Sequence, residues 1–196
     1  MLVGILALQG DVREHAGALA SLGCATRLIK QPSELSGIDA LVLPGGESTT
    51  MSLLLDLTGL RQPLTEWTSN GRPTLGTCAG LVLLASEMTD GRPDQKGLGG
   101  LAITVQRNGY GRQRFSFETS VDAPALGDPF EAVFIRAPRI AHVGEGVQVL
   151  GTMSRDATHG LEPVIVEDRG LIGCAFHPEL TGDLRLHERL IARAGG

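Results

Sequence analysis

The 196-residue sequence lacks the features that define several large classes of protein. No apolar stretch approaches the ~20 residues of a membrane-spanning helix. There is no basic tract, and a formal net charge of −5 removes the electrostatic basis for non-specific binding to nucleic acid or an anionic membrane. Three cysteines without a C-x-x-C pair exclude a disulfide framework and a zinc ribbon. We therefore expect a cytoplasmic protein that binds neither nucleic acid nor membranes.

Aromatic side chains are also scarce, since five Phe, one Trp and one Tyr make up the whole set. The core must therefore be aliphatic. Glycine, in contrast, occurs 27 times, about twice its usual share. This excess predicts tight turns between the elements. The length favours one domain that spans residues 1–196.

The first half of the chain alternates short apolar runs with helical patterns. The apolar runs predict buried strands at 2–8, 25–30, 40–43 and 74–77. Apolar residues at helical spacing predict helices at 12–22, 48–57 and 79–85, and another one marked by Leu60, Leu64 and Trp67. Strands and helices in this alternation favour right-handed crossovers and a parallel sheet covered on both faces.

The second half changes character, because its apolar runs are separated only by turn residues. Six strand-like runs lie at 101–105, 115–121, 132–135, 147–153, 164–167 and 171–176. They predict antiparallel strands added to the parallel sheet. A final amphipathic helix at 183–194 has Asp183 as its predicted N-cap. The segment 89–100 is either a flexible loop or a loop ordered at a site.

The segment Gly76-Thr77-Cys78-Ala79-Gly80 lies between a predicted strand and a predicted helix. It has the pattern of a nucleophile elbow, a sharp turn that needs small residues on both sides of the nucleophile. The helix N-terminus would favour the attacking thiolate form of Cys78. The alternative is a buried structural cysteine, which is our interpretation of Cys24 and Cys174.

A nucleophilic cysteine needs a base, and the base needs a group that orients it. His177-Pro178-Glu179 follows the last predicted strand, at the end where open α/β sheets have their sites. In an extended segment, residues two apart face the same way, so the imidazole and the carboxylate would lie side by side. A histidine on a surface turn is the alternative. The other histidines show no metal-ligand spacing, and solvated or structural roles are favoured for His15, His142, His159 and His187.

The segment 44–48, with the sequence PGGES, follows the predicted strand 40–43. Two adjacent glycines let the backbone approach a ligand and expose N–H groups, as an oxyanion hole requires. A generic turn between a strand and a helix, with Ser48 as N-cap, is the alternative. A phosphate-binding P-loop is excluded because its Lys-Ser/Thr pair is missing.

Together the three segments predict acyl chemistry. Cys78 would attack a carbonyl carbon, His177 would move the proton, and Glu179 would hold His177. N–H groups near Gly46 and Ala79 would receive the oxyanion. The residues alone do not identify the acyl group.

These segments, in this order, resemble the class I (triad) glutamine amidotransferases. Within that class the chain is similar to the glutaminase subunits of pyridoxal 5′-phosphate synthase over nearly its whole length. The similarity is carried by GILALQGD at 4–11, LPGGESTT at 43–50, GTCAG at 76–80, Arg107-Asn108, FIRAP at 134–138 and HPELT at 177–181.

The resemblance implies a flavodoxin-like three-layer α/β fold, with a mostly parallel sheet and antiparallel additions. It also implies hydrolysis of L-glutamine to glutamate and ammonia through a γ-glutamyl thioester on Cys78, without a cofactor or a metal. The implied partner is the (β/α)₈-barrel synthase subunit, which receives the ammonia and makes pyridoxal 5′-phosphate from ribose 5-phosphate and glyceraldehyde 3-phosphate. The implied glutamine contacts are Gly45, Gly46, Glu47, Arg107, Ile135 and Arg136.

Two other functions fit a chain of this kind. One is a cysteine hydrolase or redox-sensing protein on a similar fold, but in many of these a histidine directly follows the elbow cysteine, where this chain has Ala79. The other is a non-catalytic binding or regulatory subunit, against which the presence of Cys78, His177 and Glu179 argues.

Overall fold

A computed structural model describes residues 1–110, 116–127, 129–154 and 160–195. Up to residue 84, its strands are β1 (Leu2–Leu6), β2 (Ala25–Ile29), β3 (Ala40–Leu43) and β4 (Thr74–Thr77). The helices of the same part are α1 (Val12–Ser21), α2 (Ser48–Leu57), α3 (Arg61–Ser69) and α4 (Ala79–Leu84). The later elements are β5 (Ala85–Met88), β6 (Leu101–Gln106), β7 (Phe117–Val121), β8 (Phe130–Phe134), β9 (Arg139–Val143), β10 (Gln148–Ser154), β11 (Leu161–Asp168), β12 (Leu171–Cys174) and α5 (Arg185–Ala194).

A seven-stranded sheet with the order β10-β11-β12-β4-β3-β1-β2 forms the centre of the molecule. The five strands from β12 to β2 are parallel to one another, and β11 and β10 continue the sheet antiparallel. With β12 as the fifth parallel strand, the order is 2-1-3-4-5, the flavodoxin-like order. The predicted fold class, a mostly parallel sheet with antiparallel additions, is confirmed. Of the six later runs predicted as antiparallel additions, however, only β10 and β11 join this sheet in antiparallel pairs. β12 is parallel to β4, β6 lies in a separate three-stranded sheet, and β7 and β8 form a two-stranded sheet of their own.

Helices cover both faces of this sheet. The connection from β1 to β2 through α1 runs one way along the sheet, and the connection from β3 to β4 through α2 and α3 runs the other way. Right-handed crossovers therefore place α1 on the opposite face from α2 and α3. Helix α5 lies on the face of α1, since the side chains of His15 and His187 are in contact.

The core between these layers is mainly aliphatic, as the composition predicts, although most of the described aromatic side chains are also buried in it. Every residue of β3, β4 and β12 is buried, which is typical of parallel strands covered on both sides. Among the described residues, no helix is long and apolar enough to cross a membrane.

Two strands, β5 and β9, were absent from the sequence prediction. The chain leaves α4 at Leu84 and enters β5 directly, so the helix is shorter than predicted. β5 pairs with β6, and β9 pairs with the other edge of β6 in a separate three-stranded sheet. Only Ile140 is fully buried in β9, so the strand has almost no apolar pattern and depends on its pairing with β6.

The predicted N-cap of α5 is wrong by one residue. Leu184 occupies that position without a side-chain cap. The Asp183 carboxylate instead accepts the N–H of Arg185, two residues on, and also the Arg185 guanidinium. These local bonds hold Asp183 in a turn just outside the helix.

Candidate active site

The loops after β1, β3, β4 and β12 meet at the carboxyl edge of the sheet. The connections that follow the neighbouring strands β1 and β3 run in opposite directions along the sheet. Ligands bind at such a point in open α/β sheets. A cavity of about 260 Å³ opens at this place. Its walls include eight of the predicted site residues: Gly46, Glu47, Cys78, Ala79, Arg107, Ile135, Arg136 and His177. The other two, Gly45 and Glu179, lie against the His177 ring.

Cys78 sits on a tight turn between β4 and α4. Its backbone has φ of +47° and ψ of −101°, a conformation that costs a non-glycine residue about 1–3 kcal/mol. The turn is held by the bond from the Cys78 N–H to the carbonyl of Cys174, at 2.9 Å. A Cβ on Gly80 would overlap the carbonyl of Leu43, so only glycine lets α4 start so close to β3. The segment therefore has the geometry of a nucleophile elbow.

His177 and Glu179 are adjacent, but not for the reason that the sequence suggests. Nδ1 of His177 lies 2.8 Å from Oε1 of Glu179. However, β12 ends at Cys174, and Pro178–Leu180 forms a 3₁₀ turn rather than an extended segment. The turn brings the carboxylate back under the imidazole. Because the Glu179 side chain has no solvent exposure, burial raises its pKa.

Asp11, which the sequence analysis did not select, provides a second carboxylate at the same nitrogen. Its Oδ2 lies 3.3 Å from Nδ1 of His177, and hydrogen bonding to this imidazole lowers the pKa of Asp11. Its position just after β1, at the carboxyl edge of the sheet, is the signal that could have identified it. A Cβ on Gly45 would lie 2.7 Å from Asp11 Oδ2 and 2.8 Å from His177 Nδ1. Gly45 therefore makes room for this pair.

The imidazole of His177 is strongly stabilised in its protonated form. Burial would lower the pKa of His177, but hydrogen bonds to Asp11, Cys78 and Glu179 outweigh it and raise the pKa to about 12. Nδ1 of the ring faces the two carboxylates, and the ring lines the same cavity as Cys78. Sγ of Cys78 also lies 3.8 Å from the carbonyl oxygen of Ile135. Cys174 is a contrasting case, because its complete burial raises the pKa of its thiol.

Asp11, His177 and Glu179 also place three potential metal-ligand atoms within 4.8 Å of one another. Both carboxylates, however, approach the same ring nitrogen, Nδ1. A nitrogen that carries the shared proton offers no lone pair to a metal. The arrangement as it stands is therefore suited to holding a protonated imidazole.

Hydrogen bonds connect the loop that contains the glycine pair after β3 to the loop after β1. The Glu47 N–H donates to Oε1 of Gln9 at 2.6 Å, and the Asp11 N–H donates to the Gly45 carbonyl at 3.2 Å. Gly46, between these bonds, has φ of +152°. The N-cap of α2 is Glu47 rather than Ser48, since its carboxylate accepts two N–H groups of the first turn.

Charged side chains line the far side of the cavity. The Arg107 guanidinium donates to the Glu47 carboxylate at 3.0 Å and to Oγ of Ser48 at 3.1 Å. The pKa of Glu47 is lowered, because its hydrogen bonds within α2 and the charge of Arg107 outweigh the effect of burial. Arg136 lines the same cavity with φ of +47°, a second non-glycine residue in the left-handed region. This wall therefore presents charges of both signs.

The sequence of the chain was compared with known proteins. The sequence model of the SNO glutamine amidotransferase family matches residues 5–194. The chain belongs to this family. It is therefore an enzyme of the glutamine amidotransferase class.

Relatives and solved structures agree with this assignment. A protein of Salinispora arenicola named pyridoxal 5′-phosphate synthase subunit PdxT is 50% identical over 187 residues, which cover 95% of this chain and 92% of the relative. The protein of the same name from Thermotoga maritima is 50% identical over 188 residues, covering 95% and 96%. A crystal structure of a glutamine amidotransferase has a TM-score of 0.89 and 42% identity, with 99% of both chains covered.

Five aromatic rings of the amidotransferase pack against one another next to the cavity, namely Tyr110, Phe117, Phe130, Phe134 and Phe176. The Phe134 ring is stacked on Phe117 with centroids 4.8 Å apart, and it lies 5.6 Å from Phe176. Phe134 and Phe176 directly precede Ile135 and His177 in the chain. The packed rings therefore hold the backbone at both positions. The few aromatic rings of the chain thus support the site.

The segment 89–100 of the amidotransferase is attached to the site. Asp90 accepts the backbone N–H of Arg107 at 2.5 Å. Gln95 donates to Oγ of Ser48 at 3.0 Å and accepts from Oγ1 of Thr49 at 3.1 Å. Of the two alternatives for this segment, the structure has the ordered loop at the site.

The remaining predicted residues have simpler outcomes. Cys174 is buried, while Cys24 is only partly buried against the core. His142 is exposed on β9, and His15 and His187 are fully buried. His159, and Phe115 at the start of a predicted strand, lie outside the described residues.

Proposed function

We propose that the chain hydrolyses L-glutamine to L-glutamate and ammonia, with Cys78 as nucleophile, His177 as acid and base, and Glu179 as the group that orients His177. The observation that carries the proposal is the position of the His177 imidazole. Its Nδ1 is hydrogen-bonded to the buried Glu179 carboxylate, its ring lines the same cavity as Cys78, and Cys78 is held in a strained elbow. The nucleophile, the base and the group that orients the base are thus arranged in space as this type of reaction requires.

The first half of the reaction forms a thioester. The Cys78 sulfur attacks the side-chain amide carbon of glutamine, and the amide oxygen becomes an oxyanion that the N–H groups of Gly46 and Ala79 receive. His177 gives its proton to the amide nitrogen as the C–N bond breaks. Ammonia leaves, and the γ-glutamyl group remains on the sulfur.

The second half releases glutamate. His177, now neutral, takes a proton from a water molecule that attacks the thioester carbon. The C–S bond breaks, glutamate leaves, and the sulfur and the imidazole return to their first state. Glu179 holds the same ring orientation through both steps, because its bond is to Nδ1 and leaves Nε2 to exchange the proton.

Substrate selection follows from the charged wall of the cavity. Free glutamine carries an α-carboxylate and an α-ammonium group. The guanidinium groups of Arg107 and Arg136 complement the first, and the Glu47 carboxylate complements the second. Gly45, Gly46 and Ile135 supply backbone close to the reacting end. This arrangement favours free glutamine over a glutamine within a peptide.

The proposal is tested by measuring glutamate release from glutamine by the wild-type chain and by Cys78→Ala, each alone and with the synthase subunit. The reaction requires release by the wild type in at least one condition and none by Cys78→Ala. Mass spectrometry of the protein after a brief incubation is expected to detect the γ-glutamyl adduct on Cys78. Release that does not depend on Cys78 would refute the mechanism.

We further propose that the ammonia is passed to a (β/α)₈-barrel synthase subunit that makes pyridoxal 5′-phosphate. The names of the curated relatives, which are subunits of this synthase, support this partner. The test supplies the complex with amide-¹⁵N glutamine and an excess of unlabelled ammonium. Retention of ¹⁵N in the pyridoxal phosphate supports direct transfer, and dilution of the label to the level of the bulk ammonium contradicts it.

A further inference from the structure

Two buried histidines, which the proposed reaction does not use, lie behind Glu179. His15 is on α1 and His187 on α5, and neither is exposed to solvent. Nδ1 of His15 lies 2.9 Å from Nε2 of His187. The other ring nitrogen of His15, Nε2, is 3.1 Å from Oγ1 of Thr77 and 3.5 Å from Oε2 of Glu179. His15 thus contacts both the carboxylate of the proposed triad and the residue that precedes the nucleophile.

Oε2 of Glu179 needs a donor. It is buried, and it makes no hydrogen bond within the part of the chain that the structure describes. The other oxygen, Oε1, is already bonded to Nδ1 of His177. A buried carboxylate oxygen without a donor is costly, and a small approach of His15 turns the 3.5 Å contact into a hydrogen bond. Active-site hydrogen bonds are often long until the reacting complex forms.

When both rings are neutral, the hydrogen bond between His15 and His187 can have either of two directions. If His15 carried its proton on Nδ1, it would donate to His187, whose own proton would then be on Nδ1. That atom of His187 is buried and has no partner among the described residues. In the opposite arrangement both rings carry their protons on Nε2. Nδ1 of His187 is then an unpaired acceptor, which is less costly than an unpaired donor. His187 then donates from Nε2, and the Nε2–H of His15 faces two acceptors, Oγ1 of Thr77 at 3.1 Å and Oε2 of Glu179 at 3.5 Å.

We propose that His15 is a positioning residue for the reaction, which holds Oε2 of Glu179 through its Nε2–H and is itself held by His187. The inference rests on the proposed role of the triad. The hydrogen bonds then run in one direction, from His187 through His15 to Glu179. On its other oxygen, Glu179 accepts from His177. The chain of polar contacts therefore crosses the core from α5 to the cavity.

A neutral donor suits this role. Burial lowers the pKa of His15 well below 6.5 and that of His187 to about 4, so both rings are uncharged at neutral pH. A neutral N–H orients the Glu179 carboxylate and stabilises its ionised form, but it does not cancel the charge that His177 needs. The titratable groups that act on His15 are Glu179 and His177 from the loop after β12, and His187 from α5. Asp183 acts in turn on His187.

The test uses two amide side chains of different length at position 15. In His15→Gln the amide nitrogen can reach the place of Nε2 and still donate to Glu179. In His15→Asn it reaches only the place of Nδ1, so the donor to Glu179 is lost. Leu19→Ala is the control for packing, since Leu19 is a fully buried residue on the same helix.

Two measurements are made on each folded variant. The first is glutamate release by the complex with the synthase subunit, as kcat and KM over a range of pH. We expect His15→Asn to lower kcat about 10- to 100-fold with KM within a factor of two, and to move the acid limb of the profile to higher pH. The reason is that Glu179, without its donor, ionises less readily. His15→Gln is expected to restore both, and Leu19→Ala to leave the acid limb unchanged.

The second measurement does not depend on turnover. The rate of alkylation of Cys78 by iodoacetamide, followed against pH in the isolated chain, reports how well His177 and Glu179 are held. We expect its acid limb to move in His15→Asn and not in His15→Gln. If the wild type shows no Cys78-dependent glutamate release, the proposed function fails, while the alkylation profile still tests the role of His15.

A wild-type acid limb in His15→Asn, or equal effects of the two amides, would overturn the inference. If His15→Asn does not fold, His187→Leu replaces it, because His15 is then free to turn its lone pair toward Glu179. A shift in the same direction is expected in that variant. Its absence would also count against the proposal.

Discussion

The substitution Gly45→Ala is expected to impair the proposed reaction of this protein while the chain still folds. Gly45 is buried and is not among the residues with positive φ, so alanine meets no backbone strain there. The added Cβ would lie 2.7 Å from Oδ2 of Asp11 and 2.8 Å from Nδ1 of His177, and closer still to Cε1 of that ring. All three are side-chain atoms. The methyl group therefore presses on the imidazole rather than on the backbone.

The expected size of the effect follows from these distances. Non-bonded carbon atoms are comfortable at about 3.5–4.0 Å, so the ring or the loop must move by roughly 1 Å. A displacement of about 1 Å in a reacting group can lower a rate by about 10²-fold. We therefore expect kcat/KM for glutamine to fall by at least about 100-fold, and the free energy of unfolding to fall by about 1–3 kcal/mol.

The assay is glutamate release by the complex with the synthase subunit, together with urea unfolding of each isolated chain. Gly17→Ala is the matched control, since Gly17 lies in α1, and nothing is within 4 Å of the new methyl group. The control is expected to retain activity and to be more stable by about 0.5–1 kcal/mol, because alanine is the better helix former.

A Gly45→Ala chain with wild-type kcat/KM would refute the reasoning, because it would mean that His177 can work from a different position. Loss of the folded state would refute it in another way, since the contact would then be a structural one. The expected result is strongly reduced activity in a chain that still folds cooperatively, with its free energy of unfolding lowered by about 1–3 kcal/mol.

Three further predictions concern the elbow, the buried histidines and the charged wall. Cys78→Gly is expected to be more stable than Cys78→Ala by about 1 kcal/mol in thermal unfolding, since glycine removes the strain at φ of +47°; equal stability would mean that the turn is unstrained. His187 has a lowered pKa, so its stabilising contribution is complete above pH 6.5 and is lost as the pH falls toward about 4, by about 3 kcal/mol. Urea unfolding of the wild type is expected to show a steeper loss over this range than unfolding of His187→Leu, and parallel curves would contradict the assignment. Arg107→Met is expected to raise KM for glutamine at least about 10-fold with a smaller change in kcat, because it removes a charged partner of the substrate; an unchanged KM would exclude that contact.

Local patterns account for most of the first half of the fold. Strands β1 to β4 and helices α1 to α3 were predicted within a few residues, because their apolar spacing or continuous burial is a property of the segment itself. The short turn at Cys78 was predicted for the same reason, since small residues on both sides of a nucleophile are a local requirement.

Pairing between distant segments explains what was missed. β9 has one fully buried residue and exists as a strand through its hydrogen bonds to β6. The apposition of His177 and Glu179 was predicted, but through an extended segment, whereas a 3₁₀ turn produces it. In both cases the local sequence allows several conformations, and contacts made elsewhere select one.

The sequence by itself determined the class of fold, the order of the functional segments and the residues with chemistry to offer, because each of these is encoded in a short pattern. Only the tertiary structure decided that Asp11 joins Glu179 at the His177 ring, and that Gly45 makes room for them. Only it brought His15 against His187, 172 residues away. These contacts depend on which strand ends lie side by side in the sheet, and no local pattern contains that order.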